Sequence, residues 1–179
     1  MSFASPTHGP MLWPSTFVSP FSREGPAFAQ HVAGNIPVSS TYPAANRAHY
    51  FPIYVPRPIT VYRFFWLNGA TASTDNVQVG LYNEDFTSHT LGTSTLAAGA
   101  NVCQFDNVTD FGVQPGRYWL ALWCNGTTTT IFRSANAAFD HARHLDEDSL
   151  TGGLPSTATP TQSAATYMPV FGFTTIASP

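Results

Sequence analysis

The densest run of side chains able to do chemistry is Asp140, His141, His144, Asp146, Glu147 and Asp148. Imidazole and carboxylate groups are metal ligands, and on a helix His141 and His144 would share one side and offer two nitrogens to a zinc-like ion. The run sits in SANAAFDHARHLDEDSL, whose apolar face is thin and whose acidic end opposes a helix dipole. The expectation is one short helix or an ordered, solvated loop, with no bound metal. Two carboxylate pairs, Asp106 with Asp110 and Glu84 with Asp85, have the residue types for paired acid and base work. Both lie in turn-like text, where Asp is common because its side chain bonds its own backbone.

Five aromatic residues, Tyr62, Trp66, Tyr82, Trp119 and Trp123, could stack a sugar, although their alternation within apolar strands points first to core packing. Cys103 and Cys124 stand in apolar strand text and are expected to be buried free thiols. The Gly-x-Ser-x-Gly elbow, the phosphate-binding Gly-x-x-x-x-Gly-Lys loop, the Gly-x-Gly-x-x-Gly fingerprint and the His-Glu-x-x-His helix are all absent. The sequence therefore predicts no catalytic residue, no cofactor site and no metal site.

Composition bears on partners. Charged residues make up 9% of the 179 residues against a usual share of about a quarter, so Ser, Thr, Asn and Gly must cover much of the surface. Lysine is missing, the seven basic residues are scattered arginines and the net charge is -3, which leaves no basic stripe for phosphates and argues against nucleic acid. No run of eighteen apolar residues is present to span a membrane, and the first residues, MSFASPTHGPMLWPS, lack the basic start and apolar run of a secretory leader. So weakly charged a surface suits a permanent place in an assembly, and a homo-oligomer is expected.

The elements read as strands. The central stretch is PGRYWLALWCNGTTTTIFR, residues 115–133, where Tyr118, Leu120, Leu122 and Cys124 share one face and Trp119, Ala121 and Trp123 the other, so both faces should be covered. Asn125-Gly126 predicts a type I′ hairpin turn with residues 127–131 as the return strand. Ile59 to Leu67 reads as a full strand, after an edge strand marked by Pro52, Pro56 and Pro58. Asn76 to Tyr82 reads as half-buried, with Val77, Val79 and Leu81 inward. Leu91 to Leu96 and Val102 to Val108 are weaker strands, and Tyr167 to Ile176 is the last. Some eight short strands with almost no helix predict an all-β antiparallel β-sandwich of jelly-roll or Greek-key kind over residues 49–179.

Residues 1–48 carry seven prolines and no lasting periodicity, and predict an extended arm. Met11, Leu12, Trp13, Phe17, Phe21 and Phe28 are too apolar for an ordinary linker and are the expected partner-binding residues.

The succession of the ITV strand, VQVGLYNED, a Gly-Ala-Asn turn, VQPGRYWLAL, GGLPSTATP and a final MPVFGF strand resembles β-sandwich structural modules of tailed-bacteriophage virions, over roughly residues 46–176. Gly80 to Asn83 and Pro115 to Ala121 carry the resemblance. Such modules occur in head decoration proteins, head fibres and tail-fibre tips. The resemblance implies a non-enzymatic virion protein made in the host cytoplasm. The leading expectation is a capsid decoration or cement protein bound to neighbouring capsid or decoration subunits, with a trimer expected because three-fold positions seat such proteins in an icosahedral lattice. The alternative is a fibre or receptor-binding module recognising a cell-surface glycan. The long arm departs from the fibre-tip pattern, and no heptad repeat is present to build a shaft.

Overall fold

The computed structural model describes residues 17–18, 38–71, 74–135, 145–163 and 167–175. Among them every regular element is a strand and every pairing is antiparallel: β1 (Phe17–Val18), β2 (Val38–Thr41), β3 (Arg47–Val55), β4 (Ile59–Leu67), β5 (Asn76–Asn83), β6 (Ser88–Leu91), β7 (Thr95–Leu96), β8 (Cys103–Val113), β9 (Gly116–Cys124), β10 (Thr130–Ala135), β11 (Leu145–Glu147), β12 (Thr161–Gln162), β13 (Tyr167–Pro169) and β14 (Phe171–Thr174).

One sheet runs β1-β14-β4-β8 and the facing one contains β3-β9-β5-β6. With these eight strands numbered in chain order, the sheets read first, eighth, third, sixth and second, seventh, fourth, fifth. That is the strand order of a jelly roll, in which successive strands cross between two sheets and close two Greek keys. The small sheet β13-β10-β2 prolongs the first layer: β13 and β14 are one run interrupted at Val170, whose amide donates to the Phe132 carbonyl while its carbonyl accepts from the Leu67 amide. The predicted last strand is thus divided between two sheets.

Two apolar clusters follow from the period-two alternation of the central strands. Phe51, Phe64, Trp66, Leu81, Leu122 and Phe171 meet between the sheets. On the outer face of the β3-β9-β5 sheet, Tyr50, Tyr82, Ala121 and Trp123 pack beneath Leu154 and Ala158. Each fully buried side chain of this size contributes about 1.5 to 3 kcal/mol. The expectation that both faces of β9 are covered holds. The reading of β5 as half-buried does not, because Gln78, Gly80 and Tyr82 are buried too, under the crossing segment of residues 145–163.

The predicted hairpin at Asn125-Gly126 is also overturned. β9 already has β3 on one side and β5 on the other, so no edge is left for a return strand, and β10 crosses to the opposite layer to pair with β2 and β13. Neither Asn125 nor Gly126 has a positive φ. The glycine is needed for a different reason: a Cβ on Gly126 would lie 2.2 Å from Asp75 Oδ1, and the Asp75 carboxylate must sit there to accept from the Thr129 amide at 2.7 Å.

The boundary drawn at His49 falls inside the sandwich. β2 pairs with β10, and Tyr42 is buried, its hydroxyl donating to the Leu122 carbonyl at 2.8 Å. Both cysteines are free, but only Cys124 is buried, and Cys103 is exposed at the start of the edge strand β8. Of the stretch expected to be a helix or loop, residues 136–144 lie outside the described residues, and its end forms the short strand β11.

Candidate functional site

The acidic end of the sequence cluster lies on β11, which β3 holds in register with Leu145 opposite Tyr50, Asp146 opposite His49 and Glu147 opposite Ala48. Facing positions place the basic and hydroxyl groups of Arg47, His49 and Tyr50 against three carboxylates. His49 Nδ1 lies 2.5 Å from Asp146 Oδ1, and Ser163 Oγ donates to Asp146 Oδ2. Arg47 forms a forked pair with Asp148 and stands 3.9 Å from Asp146. Tyr50 Oη donates to Glu147 Oε2 at 2.8 Å, and the Thr159 amide and hydroxyl bind Glu147 Oε1. Burial first, then the neighbouring Tyr82 and the bond to Glu147, push the Tyr50 phenol far above its ordinary range, so it stays a neutral donor.

These contacts fasten β11 and the segment after it to β3. In a nucleophilic Ser-His-Asp set the imidazole stands between hydroxyl and carboxylate. Here the Asp146 carboxylate stands between His49 and Ser163, so in these contacts the imidazole does not bridge hydroxyl and carboxylate. Among the described residues no group of three or more His, Cys, Asp or Glu side chains converges as a metal set. Asp140, His141 and His144 lie outside the described residues. The segment so fastened continues over the second core: Gln78 Oε1 accepts from the Leu154 amide, Tyr82 Oη donates to the Pro155 carbonyl and Trp123 Nε1 to the Leu150 carbonyl. Gly153, with φ +104°, makes the turn in which a Cβ would lie 2.5 Å from Gln78 Oε1.

The paired carboxylates do not form acid-base couples. Asp85 accepts from the Thr87 amide and hydroxyl, bonds that hold its carboxyl below the ordinary range, and exposed Glu84 lies 3.6 Å from Arg117. Asp106 is buried and accepts from the Thr93 amide at 2.5 Å; burial raises its pKa. Asp110 is exposed, and no ion pair or hydrogen bond joins it to Asp106.

The five aromatic residues are not one platform. Trp66, Tyr82 and Trp123 are core residues. Tyr62 is half-buried on β4 and Trp119 half-buried on β9, in opposite layers. Trp119 stacks on Phe86, centroids 4.8 Å apart and 26° between planes. Exposed Tyr54 shares that face, since Tyr54 pairs with Arg117 and Pro52 with Trp119.

Of the expected partner-binding residues, Met11, Leu12, Trp13, Phe21 and Phe28 lie outside the described residues, while Phe17 belongs to β1 and pairs with Thr174. The sequence reading missed Arg47, His49, Tyr50 and Ser163. The signal available was complementarity between the triplet in Arg47-Ala48-His49-Tyr50 and the acids of Asp146-Glu147-Asp148, about a hundred residues away. No family model, curated protein or solved structure matches the chain.

Proposed function

We propose that the chain is a non-enzymatic structural protein of a virion, most specifically a capsid decoration or cement subunit that binds neighbouring capsid or decoration subunits through its N-terminal segment and sandwich. The observation that carries this reading is that the apolar, proline-rich segment enters the jelly roll as its first strand, β1, whose two residues pair with β14. A sandwich whose clustered acids are spent on its own fastening contributes surfaces, and the segment around Phe17 contributes large apolar anchors, each worth about 1.5 to 3 kcal/mol when buried. The low charge of the chain fits a permanent lattice position. The test is mass spectrometry of virions from the culture that yields the coding sequence: peptides of this chain should band with the shell protein through a density gradient. Their absence from intact particles would end the reading.

A fibre or receptor-binding module for a cell-surface glycan is the second reading, supported by half-buried Trp119 stacked on Phe86 beside Tyr54, 61% exposed. It requires a polysaccharide that binds the folded protein and is lost on Trp119→Ala with the melting curve retained.

A further inference from the structure

Among the described residues strand β8 is the longest, eleven residues, and it forms one edge of its sheet. It pairs along one side with β4, with a register shift between Val61 and Arg63. On its other side, among the described residues, the backbone makes a single hydrogen bond, from His89 Nε2 to the Gly112 carbonyl at 3.1 Å. Asn107, Thr109 and Asp110 are exposed, Phe105, Val108 and Phe111 are half-buried, and Leu96 and Val102 beside its start are 46% and 44% exposed. Long edges in stable proteins are blunted by proline, lysine, inward-pointing charges, bulges or a covering element. β8 contains no proline or lysine; it has the buried Asp106 and a bulge at residues 108–110, on either side of which residues 103–107 and 111–113 keep regular pairing with β4. The amides and carbonyls left unpaired among the described residues are a template for an extended strand from another chain.

The occupant must satisfy two conditions. It needs amides for the ladder, so it contains no proline over about the length of β8. It also brings no carboxylate to an edge that already carries Asp106 and Asp110, which disfavours a second β8 in antiparallel self-pairing. Prolines stand at 6, 10, 14, 20, 26 and 37 in the N-terminal segment, and 27–36 is its one long proline-free run. That run, AFAQHVAGNI, has no Asp or Glu. As a strand of about 33 Å it matches β8, and it sets Phe28, Val32 and Ile36 on one face with alanines at 27, 29 and 33 on the other. We infer that residues 27–36 of a second copy add as a strand to the free edge of β8, which joins copies head to tail through the sheet whose opposite edge is β1. Such a heterologous contact closes into a ring when its rotation permits, the geometry a trimer requires.

The inference rests on the proposed partner-binding role of the N-terminal segment and fails separately from it: virions that contain the chain, with no contact between 27–36 and β8, leave that reading standing. The native Cys103 is the reporter, since it is exposed at one end of β8 while Cys124 is buried. In the full chain, Ala27→Cys and Asn35→Cys place a thiol at either end of the run, so one of them meets Cys103 whichever way the strand runs, within the roughly 7 Å Cα separation a disulfide allows. Mild oxidation of micromolar protein should give, for one of the two, a product of twice the 19.4 kDa chain mass or a ladder ending at the ring number. The product should vanish with Cys103→Ser and with Gln30→Pro plus Val32→Pro, and should not form from Ser5→Cys. No intermolecular product at either position, a disulfide confined to single chains, or an equal yield from Ser5→Cys would each overturn the inference.

Discussion

His49 Nδ1 and Asp146 Oδ1 lie 2.5 Å apart, and this contact ties the fully buried imidazole of β3 to a carboxylate 97 positions later. Asp146 also accepts from Ser163, so one side chain holds β3, β11 and the end of the segment that roofs the second core. Asp146→Ala leaves the buried imidazole and the hydroxyl without this acceptor. Losing a buried hydrogen bond to a charged group costs about 1.5 to 3 kcal/mol. The expected result is a fall of that size in urea unfolding and a Trp123 emission shifted to the red as Leu150 and Leu154 lift away; an unchanged midpoint would show that the second core holds the segment unaided.

Asp106 and Asp85 respond to pH in opposite senses. Burial raises the folded-state pKa of Asp106, so the folded form binds its proton more tightly than the unfolded chain, and stability is lost as pH rises from the ordinary aspartate range through the raised value. Asp106→Asn should remove that loss while still accepting from the Thr93 amide, leaving a variant at least as stable as the parent at neutral pH. The Thr87 hydroxyl and amide lower the pKa of Asp85, whose contribution is present above the ordinary aspartate range and fades as pH falls through the lowered value. Melting curves from about pH 3 to 7 should show the two Asn variants departing from the parent in opposite directions.

These features explain which parts of the molecule were legible in the sequence. The alternation of β9, the bounds of β4 and the all-β character come from local periodicity, which a chain displays wherever a strand has a buried face. Asn125-Gly126 is a local signal as well, yet it carries no information on whether the next strand finds a free edge, and here β3 and β5 had taken both. The burial of Gln78 and Tyr82 and the roles of Arg47, His49 and Ser163 depend on a crossing segment distant in sequence, so no spacing could announce them. The carboxylates of Glu84 and Asp85 were legible as turn chemistry because an Asx turn spans only two residues.

Gly126 and Asp75 form a second long-range constraint. A methyl at position 126 would meet the Asp75 carboxylate well inside van der Waals contact, and that carboxylate holds the Thr129 amide. Gly126→Ala should cost about 1 to 3 kcal/mol, the range for forcing an extra carbon into a packed site. In a double-mutant cycle with Asp75→Ala the two costs should be strongly non-additive, since the clash disappears with the carboxylate. Additive costs would place the origin in the backbone of the turn.

The N-terminal boundary decides how the segment can be tested. A chain beginning at His49 removes β2, which pairs with β10, and Tyr42, whose hydroxyl bonds the carbonyls of Arg47 and Leu122 and whose ring is 1% exposed. It also removes Arg47 and its pairing with Asp148. Deleting one buried aromatic side chain costs about 3 to 5 kcal/mol, comparable with the 5 to 15 kcal/mol that stabilises a whole domain, so this form should melt early or without cooperativity. A chain beginning at Pro37 keeps β2, Tyr42 and Arg47 and, among the described residues, gives up only the two paired residues of β1. It should retain β-sheet circular dichroism and a cooperative melt, while light scattering shows smaller assemblies than the full chain forms at the same concentration. If the form beginning at Pro37 assembles as the full chain does, the sandwich alone makes the contacts, and Met11, Leu12, Trp13, Phe21 and Phe28 are not the anchors.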